Sequence, residues 1–374
     1  MQTQYWQYDV MKAIGVSPGK PGVKLIEKSE PARAKGEIKL EPLLVGICGT
    51  DREIISGYYG EAPPGEEFLT IGHESLCKVV EGQSNELKEG DLVVPTVRRS
   101  CGVCWSCLHG QSDMCFTGNF KERGIKGMDG YNTERVVELP EYIARVPDGL
   151  GDVAVLTEPM TIGEKAVYQC LELQKRVEWG WDCKEGLKCK KALVLGTGPV
   201  GLLASLILRL KGFKVVAADR HDDSTRKASI LNAAGIAHLN TSNTSIDEFA
   251  GSEGKFDIII EATGDAVVGL DAIPSLSPNG IIALTGIPGG SQVYQMPAVQ
   301  IMRSIVLNNL ITVGIVNANI SYFKMALQHM LEIESKFPGL LERLISSKFA
   351  VEEYSAAFSA RGADVVKVVI DWRR

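Results

Sequence analysis

The sequence has no uninterrupted apolar run that would cross a membrane, no secretory leader, no field of one charge and no internal repeat or low-complexity segment. Each absence narrows what the chain can be. The two longest uncharged stretches are 192–208 and 272–302. The first holds Gly196, Gly198, Pro199 and Gly201 and reads as strand, turn and helix. Pro274, Pro278, Gly280, Pro288, Gly289 and Gly290 divide the second into short strands and turns. Residues 1–10 are polar and aromatic, without the basic start and apolar core of a signal peptide, and read as an extension or arm. A net charge of -6 offers no attraction to a phosphate backbone, so neither nucleic acid nor membrane is an expected partner.

What is present fits a soluble two-domain protein. The chain has 374 residues, 45% hydrophobic and 23% charged, too many for one typical core. Its nine cysteines are odd in number and follow no leader, which favours a reducing cytoplasm over a disulfide framework. Cys183 and Cys189 flank a polar turn and read as free thiols, with a disulfide between them as the alternative.

The first third reads as irregular β. Short runs at 38–44, 77–80 and 92–95 are split by Gly, Pro and Asp turns, and Gly90-Asp91 is one of them. Residues 96–130 are rich in Cys, Gly and charge and look like an excursion held by something other than a core. From about 160 the texture changes. A helical period covers 164–174; strands at 192–195, 214–218, 256–260 and 281–284 then alternate with helices such as 201–210. That alternation predicts a parallel sheet covered on both faces, a doubly wound α/β domain. A helix at 322–331 and a strand near 365–370 end the chain.

Gly196-Thr197-Gly198-Pro199-Val200-Gly201 follows an aliphatic strand and opens an apolar helix. In that context the glycines permit a tight turn, close approach to a pyrophosphate and close helix–strand packing. The helix N-terminus supplies free N–H donors for the phosphates. The next strand ends in Asp219, placed to bind both ribose hydroxyls of the adenosine half and so to favour NAD. Arg220 and His221 follow and could meet the 2′-phosphate of NADP.

Cys101-x-x-Cys104-x-x-Cys107, then Cys115, is a spacing at which four thiolates close a tetrahedral shell around a structural zinc. An iron–sulfur centre and two disulfides are the alternatives. Cys48-Gly49-Thr50-Asp51, Gly72-His73-Glu74 and Glu158-Pro159 are separate short motifs. Cys48, His73 and Glu158 together, with one position open, would make a catalytic zinc site, but spacing does not bring them together.

These motifs occur in the order found in the zinc-containing medium-chain dehydrogenases. Finer segments resemble the glucose 1-dehydrogenase branch known best from archaea: 47–53, Pro95-Thr96-Val97-Arg98-Arg99, Gly127-Met128-Asp129-Gly130, Glu158-Pro159 with Glu164-Lys165, and Gly314-Ile315-Val316-Asn317. The resemblance runs from Met11 nearly to the end. It implies a GroES-like catalytic domain at 1–165 and 318–374, with the zinc lobe at 96–130, and a Rossmann domain at 166–317. It implies that Cys48, His73 and Glu158 hold the catalytic zinc, with Glu74 as an exchanging ligand or one beyond the first shell. Thr50 would take the proton of the sugar hydroxyl, and Asp51 would orient the ligands. Glu122, Glu158 and Asn317 would touch the sugar. Thr285, Gly286, Ile287, Ile315, Val316 and Asn317 would line the nicotinamide end. The expected reaction is oxidation of an aldose at C1 to the lactone with NAD, or with NADP, in a dimer or tetramer. Val97 and Ile162 stand where some members carry polar sugar contacts, which leaves the sugar open.

A sorbitol- or threonine-type dehydrogenase would keep the zinc and cofactor and change the substrate. A non-catalytic zinc protein binding nucleic acid through the cysteine lobe would need a basic face, but Lys121, Arg123 and Lys126 are interspersed with Glu122. A metabolite-binding regulator that lost turnover would have no use for Cys48, Thr50, His73 and Glu158 together.

Overall fold

The computed structural model describes residues 10–177, 183, 186–289 and 293–374; the expected arm, apart from Val10, lies outside them. Aliphatic runs make the parallel sheet. Lys191–Leu195, Lys214–Asp219, Ala237–Asn240, Phe256–Glu261, Leu276–Leu284 and Ile311–Gly314 form six strands, every pairing parallel. Taken in chain order, they lie 3-2-1-4-5-6 across the sheet. That is the doubly wound order, with its switch point beside the first strand, where such folds place a dinucleotide. The helix Pro199–Lys211 leaves that strand with Pro199 in its first turn and Gly212 in the left-handed conformation after its last.

The β-rich part is built on Ile38–Ile47. Its residues alternate buried and half-buried to Leu43, then are buried without a break from Leu44 to Ile47. The change falls where the tail strand Lys367–Asp371 pairs alongside, Val368 opposite Ile47 and Asp371 opposite Leu44. The sheet order is Ile143–Arg145, Leu92–Pro95, Glu74–Glu81, Ile38–Ile47, Lys367–Asp371, Ile345–Ala350. The cysteine-rich excursion leaves a small sheet of Arg98–Arg99, Lys121–Arg123 and Gly127–Met128.

The helix Thr157–Gln174 joins the two parts, packing on Pro199–Lys211 and on Ile320–Lys336, with Gly163 against Ala204. One apolar cluster runs from Ile14 through Val194 to Ile370, so the parts share a core. Among the described residues no helix is long and apolar enough to cross a membrane.

Two expectations are corrected. Cys183 and Cys189 are not free thiols but form a disulfide, their Cα atoms 5.9 Å apart, within the span a disulfide bridges. Cys183 also forms an isolated antiparallel bridge with Gly186. The region after Gly290 is not all short strands and turns: Ala298–Leu307 is a helix, followed by the edge strand Ile311–Gly314. Val299, Met302, Val306 and Leu307 of that helix are exposed, as on an amphipathic helix whose apolar face has no cover among the described residues.

Candidate active site

Cys48 ends the Ile38–Ile47 strand and caps the short helix Gly49–Ile55. Its Sγ accepts the Thr50 N–H at 3.2 Å, and Asp51 Oδ2 accepts the Cys48 N–H at 2.9 Å. This reciprocal cap fixes the position of the sulfur. Thr50 is half-buried beside it. His73 enters from the turn before Glu74–Glu81. Donor atoms of Cys48, His73 and Glu74 lie within 4.8 Å of one another, close enough for the bonds of about 2.0–2.3 Å that zinc makes.

A second observation supports a metal there. Asp51 Oδ1 and His73 Nδ1 are 3.4 Å apart, both buried and neither hydrogen-bonded. A metal-bound histidine commonly gives its other N–H to a carboxylate, and Asp51 stands ready to receive it. Glu158, in the first turn of Thr157–Gln174, is not part of the close group. Burial pushes its carboxyl up to about 7, with His73 opposing and Glu74 adding, so the three groups are electrostatic neighbours.

Glu74 lies opposite Gly46 on the paired strand. A Cβ on Gly46 would stand 2.2 Å from Glu74 Oε2, so only glycine leaves room for the carboxylate. The same oxygen receives Lys367 Nζ at 2.5 Å, and Lys367 also donates to the Ile47 carbonyl at 3.1 Å. Lys367 is 1% exposed. The sequence reading missed it, although a lysine inside Val365-Val366-Lys367-Val368-Val369-Ile370 is the mark of a buried charge that needs a partner.

The residues expected at the sugar meet each other. Glu122 Oε1 accepts from Asn317 Nδ2 at 2.7 Å and from Arg98 Nε and Nη2 at 3.0 and 2.9 Å. Behind them Asp113 accepts from Lys165 Nζ at 2.7 Å and Asn319 Nδ2 at 2.9 Å, while Lys165 also reaches the Val316 carbonyl at 3.0 Å. Asp113 was missed, and Arg98 and Lys165 were named only within resembling segments without a role: a polar network spread over about 200 residues leaves no local pattern. Val97 is buried and Ile162 half-buried, both packed on the main core.

Cys101, Cys104, Cys107 and Cys115 converge with their sulfurs within 4.8 Å of one another. The Cys104 N–H points to Cys101 Sγ at 3.4 Å and the Cys101 N–H to Cys107 Sγ at 3.4 Å, an arrangement that suits thiolates around zinc.

At the glycine turn, a Cβ on Gly201 would lie 1.9 Å from the Gly196 carbonyl oxygen, so helix and turn close only with glycine there. Gly198 caps the helix with open space above it. Thr285 to Ile287 and Ile315 to Asn317 follow two adjacent parallel strands at their carboxyl ends. Asp219 is at the end of its strand as expected, but its carboxylate is engaged by the chain. Oδ2 takes Thr197 Oγ1 and His221 Nδ1 (3.1 Å); Oδ1 takes the His221 N–H (2.8 Å) and His238 Nε2 (3.1 Å). Burial opposes its ionisation, but these donors outweigh it and hold the carboxyl down at about 2. Arg220 is exposed beside it.

Residues 151–372 match the family described as glucose dehydrogenase C-terminus, and residues 34–148 the alcohol dehydrogenase GroES-like domain. A glucose 1-dehydrogenase of Methanocella arvoryzae is 39% identical over 365 residues, 96% of this chain and 99% of that protein. One from Metallosphaera sedula is 37% identical over 97% of this chain and 99% of its own. Among solved structures, glucose dehydrogenase of Haloferax mediterranei in complex with NADP, Zn and gluconolactone superposes with a TM-score of 0.86 at 32% identity, covering 97% of this chain and 99% of that one. L-idonate 5-dehydrogenase of Escherichia coli, 21% identical with a TM-score of 0.78 over 98% and 99% of the two chains, shares the fold.

Proposed function

Because the chain belongs to the zinc-containing medium-chain dehydrogenases, in their glucose 1-dehydrogenase branch, we propose that it oxidises an aldose at C1 to the lactone and passes the hydride to NAD(P). The observation that carries this reading is the gathering of Cys48, His73 and Glu74 donor atoms within 4.8 Å of one another, with the Glu158 carboxyl in electrostatic reach of His73 and Glu74. Cys48, His73 and Glu158 are the proposed ligands of a catalytic zinc, with Glu74 exchanging. Zinc bound there would act as a Lewis acid and lower the pKa of a sugar hydroxyl towards neutrality.

The chain's own residues do the rest. The Thr50 backbone is fixed by its N–H bond to Cys48, which sets its hydroxyl to receive the O1 proton. Glu122 and Asn317 orient the remaining hydroxyls, and the residues after the last two parallel strands hold the nicotinamide ring against C1. The hydride leaves C1 as the O1 proton departs, which closes the carbonyl of the lactone.

The four clustered cysteines are the proposed ligands of a second, structural zinc. Asp219 supports NAD as the preferred cofactor, with NADP accepted beside Arg220 and His221. We divide the chain at 165/166 and 317/318, because Lys165 and Asn317 each reach across to the other part. The exposed apolar face of Ala298–Leu307 and the open edge of Ile311–Gly314 support a dimer or tetramer. The seven cysteines outside the Cys183–Cys189 disulfide, none of them disulfide-bonded, support a cytoplasmic site of action. Val97 and Ile162 support an aldose other than glucose as an equal candidate.

The test is reduction of NAD and of NADP, followed by the absorbance of the reduced nicotinamide, across a panel of aldoses and polyols before and after chelation. Chelator-sensitive turnover of glucose, galactose or xylose is expected. Turnover of polyols alone would overturn the C1 assignment.

A further inference from the structure

His238 lies on Ala237–Asn240, beside the strand that ends in Asp219, and its side chain is 2% exposed. Its Nδ1 is 2.6 Å from Asp223 Oδ1 and its Nε2 3.1 Å from Asp219 Oδ1. An ionised carboxylate only accepts hydrogen bonds, so an imidazole between two of them donates from both nitrogens and carries a positive charge. The other ionisable groups close by are His221, on the far oxygen of Asp219, and Asp222, which holds Asn240 from the following loop.

A carboxylate offers about four lone-pair positions. Thr197, the His221 N–H, the His221 ring and His238 occupy four at Asp219. An acidic residue that selects NAD needs free oxygens for the ribose diol and an unshielded charge to repel a 2′-phosphate. Here His238 takes one of those positions and counters the charge.

We propose that His238 is a specificity-determining positioning residue for the cofactor: by bridging Asp219 and Asp223 it shields Asp219 and admits a 2′-phosphate, so that NADP is used alongside NAD. The proposal rests on the reading that Asp219 faces the adenosine ribose. Burial pulls the His238 imidazole down, but Asp223 and Asp219 outweigh it and hold its pKa above the ordinary value. The shield therefore persists to a higher pH than an ordinary histidine would hold it, and is lost as the pH rises.

The test is fluorescence titration of the metal-replete enzyme with NADPH and with NADH at about pH 6 and about pH 8.5, either side of the histidine range. The affinity ratio of NADPH to NADH is expected to fall with rising pH. His238→Leu should lower it about tenfold at the lower pH, the scale of one lost charge contact, and flatten its pH dependence. Asp223→Asn removes the partner that is 80% exposed, so folding is preserved, and should move the fall to lower pH. The 2′-phosphate titrates in every variant, so the difference between variants reports His238. If Asp219→Asn shifts the ratio while His238→Leu and Asp223→Asn leave it as in the wild type, the role of His238 is overturned and that of Asp219 stands. If Asp219→Asn also leaves it unchanged, the placement of Asp219 at the ribose falls too.

Discussion

Asn317 donates to Glu122 across 2.7 Å, joining the residue that follows the last parallel strand to one in the small sheet beside the cysteine lobe. Asn317 adopts a positive φ of 55°, which asparagine tolerates better than most residues, and this aims its amide back at the carboxylate. The pair is buried and Arg98 shares the same oxygen, so the two parts of the molecule meet in a charged, hydrogen-bonded contact.

Asn317→Asp would set a second carboxylate against Glu122. Like charges this close in a buried site do not both ionise, so one must take a proton or move away. A hydrogen bond to a charged group contributes roughly 1.5–3 kcal/mol, so kcat/KM for the sugar should fall about ten- to hundredfold. Adding Glu122→Gln restores a donor–acceptor pair with the charge on the other side, and should recover most of the loss. Steady-state kinetics of the two single variants and the double variant decide it; additive losses would separate the pair from sugar binding.

Lys367→Met leaves the Glu74 carboxylate buried with no cation. Removing one partner of a buried ion pair costs about 3–5 kcal/mol, because the other charge stays desolvated. The urea midpoint should drop accordingly, and adding Glu74→Gln should restore much of it. An unchanged midpoint in Lys367→Met would mean that water or a metal, and not Lys367, neutralises Glu74.

How much of this was legible in the sequence follows from range. Three of the parallel strands, Lys191–Leu195, Lys214–Asp219 and Phe256–Glu261, were legible nearly to their ends because each is apolar within five or six residues; Leu276–Leu284 was legible only from Ile281, and the short strands Ala237–Asn240 and Ile311–Gly314 were not. The glycine turn and the four cysteines are equally local. The joining helix was read from Glu164 but begins at Thr157, because a 3-10 turn over Gly151–Leu156 runs straight into it and Pro159 is tolerated in a first turn. Lys367 meets Glu74 only because the tail strand returns to Ile47, 320 residues away. No local pattern encodes that pairing. The resemblance implied Glu158 as a ligand and Glu74 as an exchanging one; the close donor group among the described residues holds Glu74.

Asp152 gives a dependence on pH. Arg373 hydrogen-bonds both of its oxygens, at 2.9 and 3.0 Å, and Lys348 adds a third contact at 2.9 Å. Arg373 is the main reason that the carboxyl is held down at about 2, against a modest opposing effect of burial. Its folded pKa lies below the unfolded value of about 3.9, so the stabilisation is complete above that pH and is lost as pH falls towards 2. The group is partly exposed and screened, which keeps the effect small. Urea midpoints measured from about pH 5 to pH 3 should fall more steeply in the wild type than in Asp152→Asn, with the difference shrinking in high salt. Parallel slopes would show that the contact contributes nothing.

The cysteine lobe reaches the proposed sugar site through Asp113. This residue stands two positions before Cys115, and its carboxylate holds Lys165 and Asn319, which flank the Val316–Asn317 segment. Its carbonyl takes Arg98 Nη1 at 3.1 Å, and Arg98 in turn holds Glu122. A lobe that loses its metal would therefore release both sides of the Glu122–Asn317 contact. Cys115→Ser should bind one zinc fewer per chain by metal analysis and raise the sugar KM about tenfold, the scale of one disturbed charged contact. Asp113→Asn keeps the four thiols and should raise the sugar KM in the same direction with the zinc count unchanged, which separates loss of the link from loss of the metal. A lower melting temperature in Cys115→Ser with the wild-type sugar KM would confine the lobe to stability.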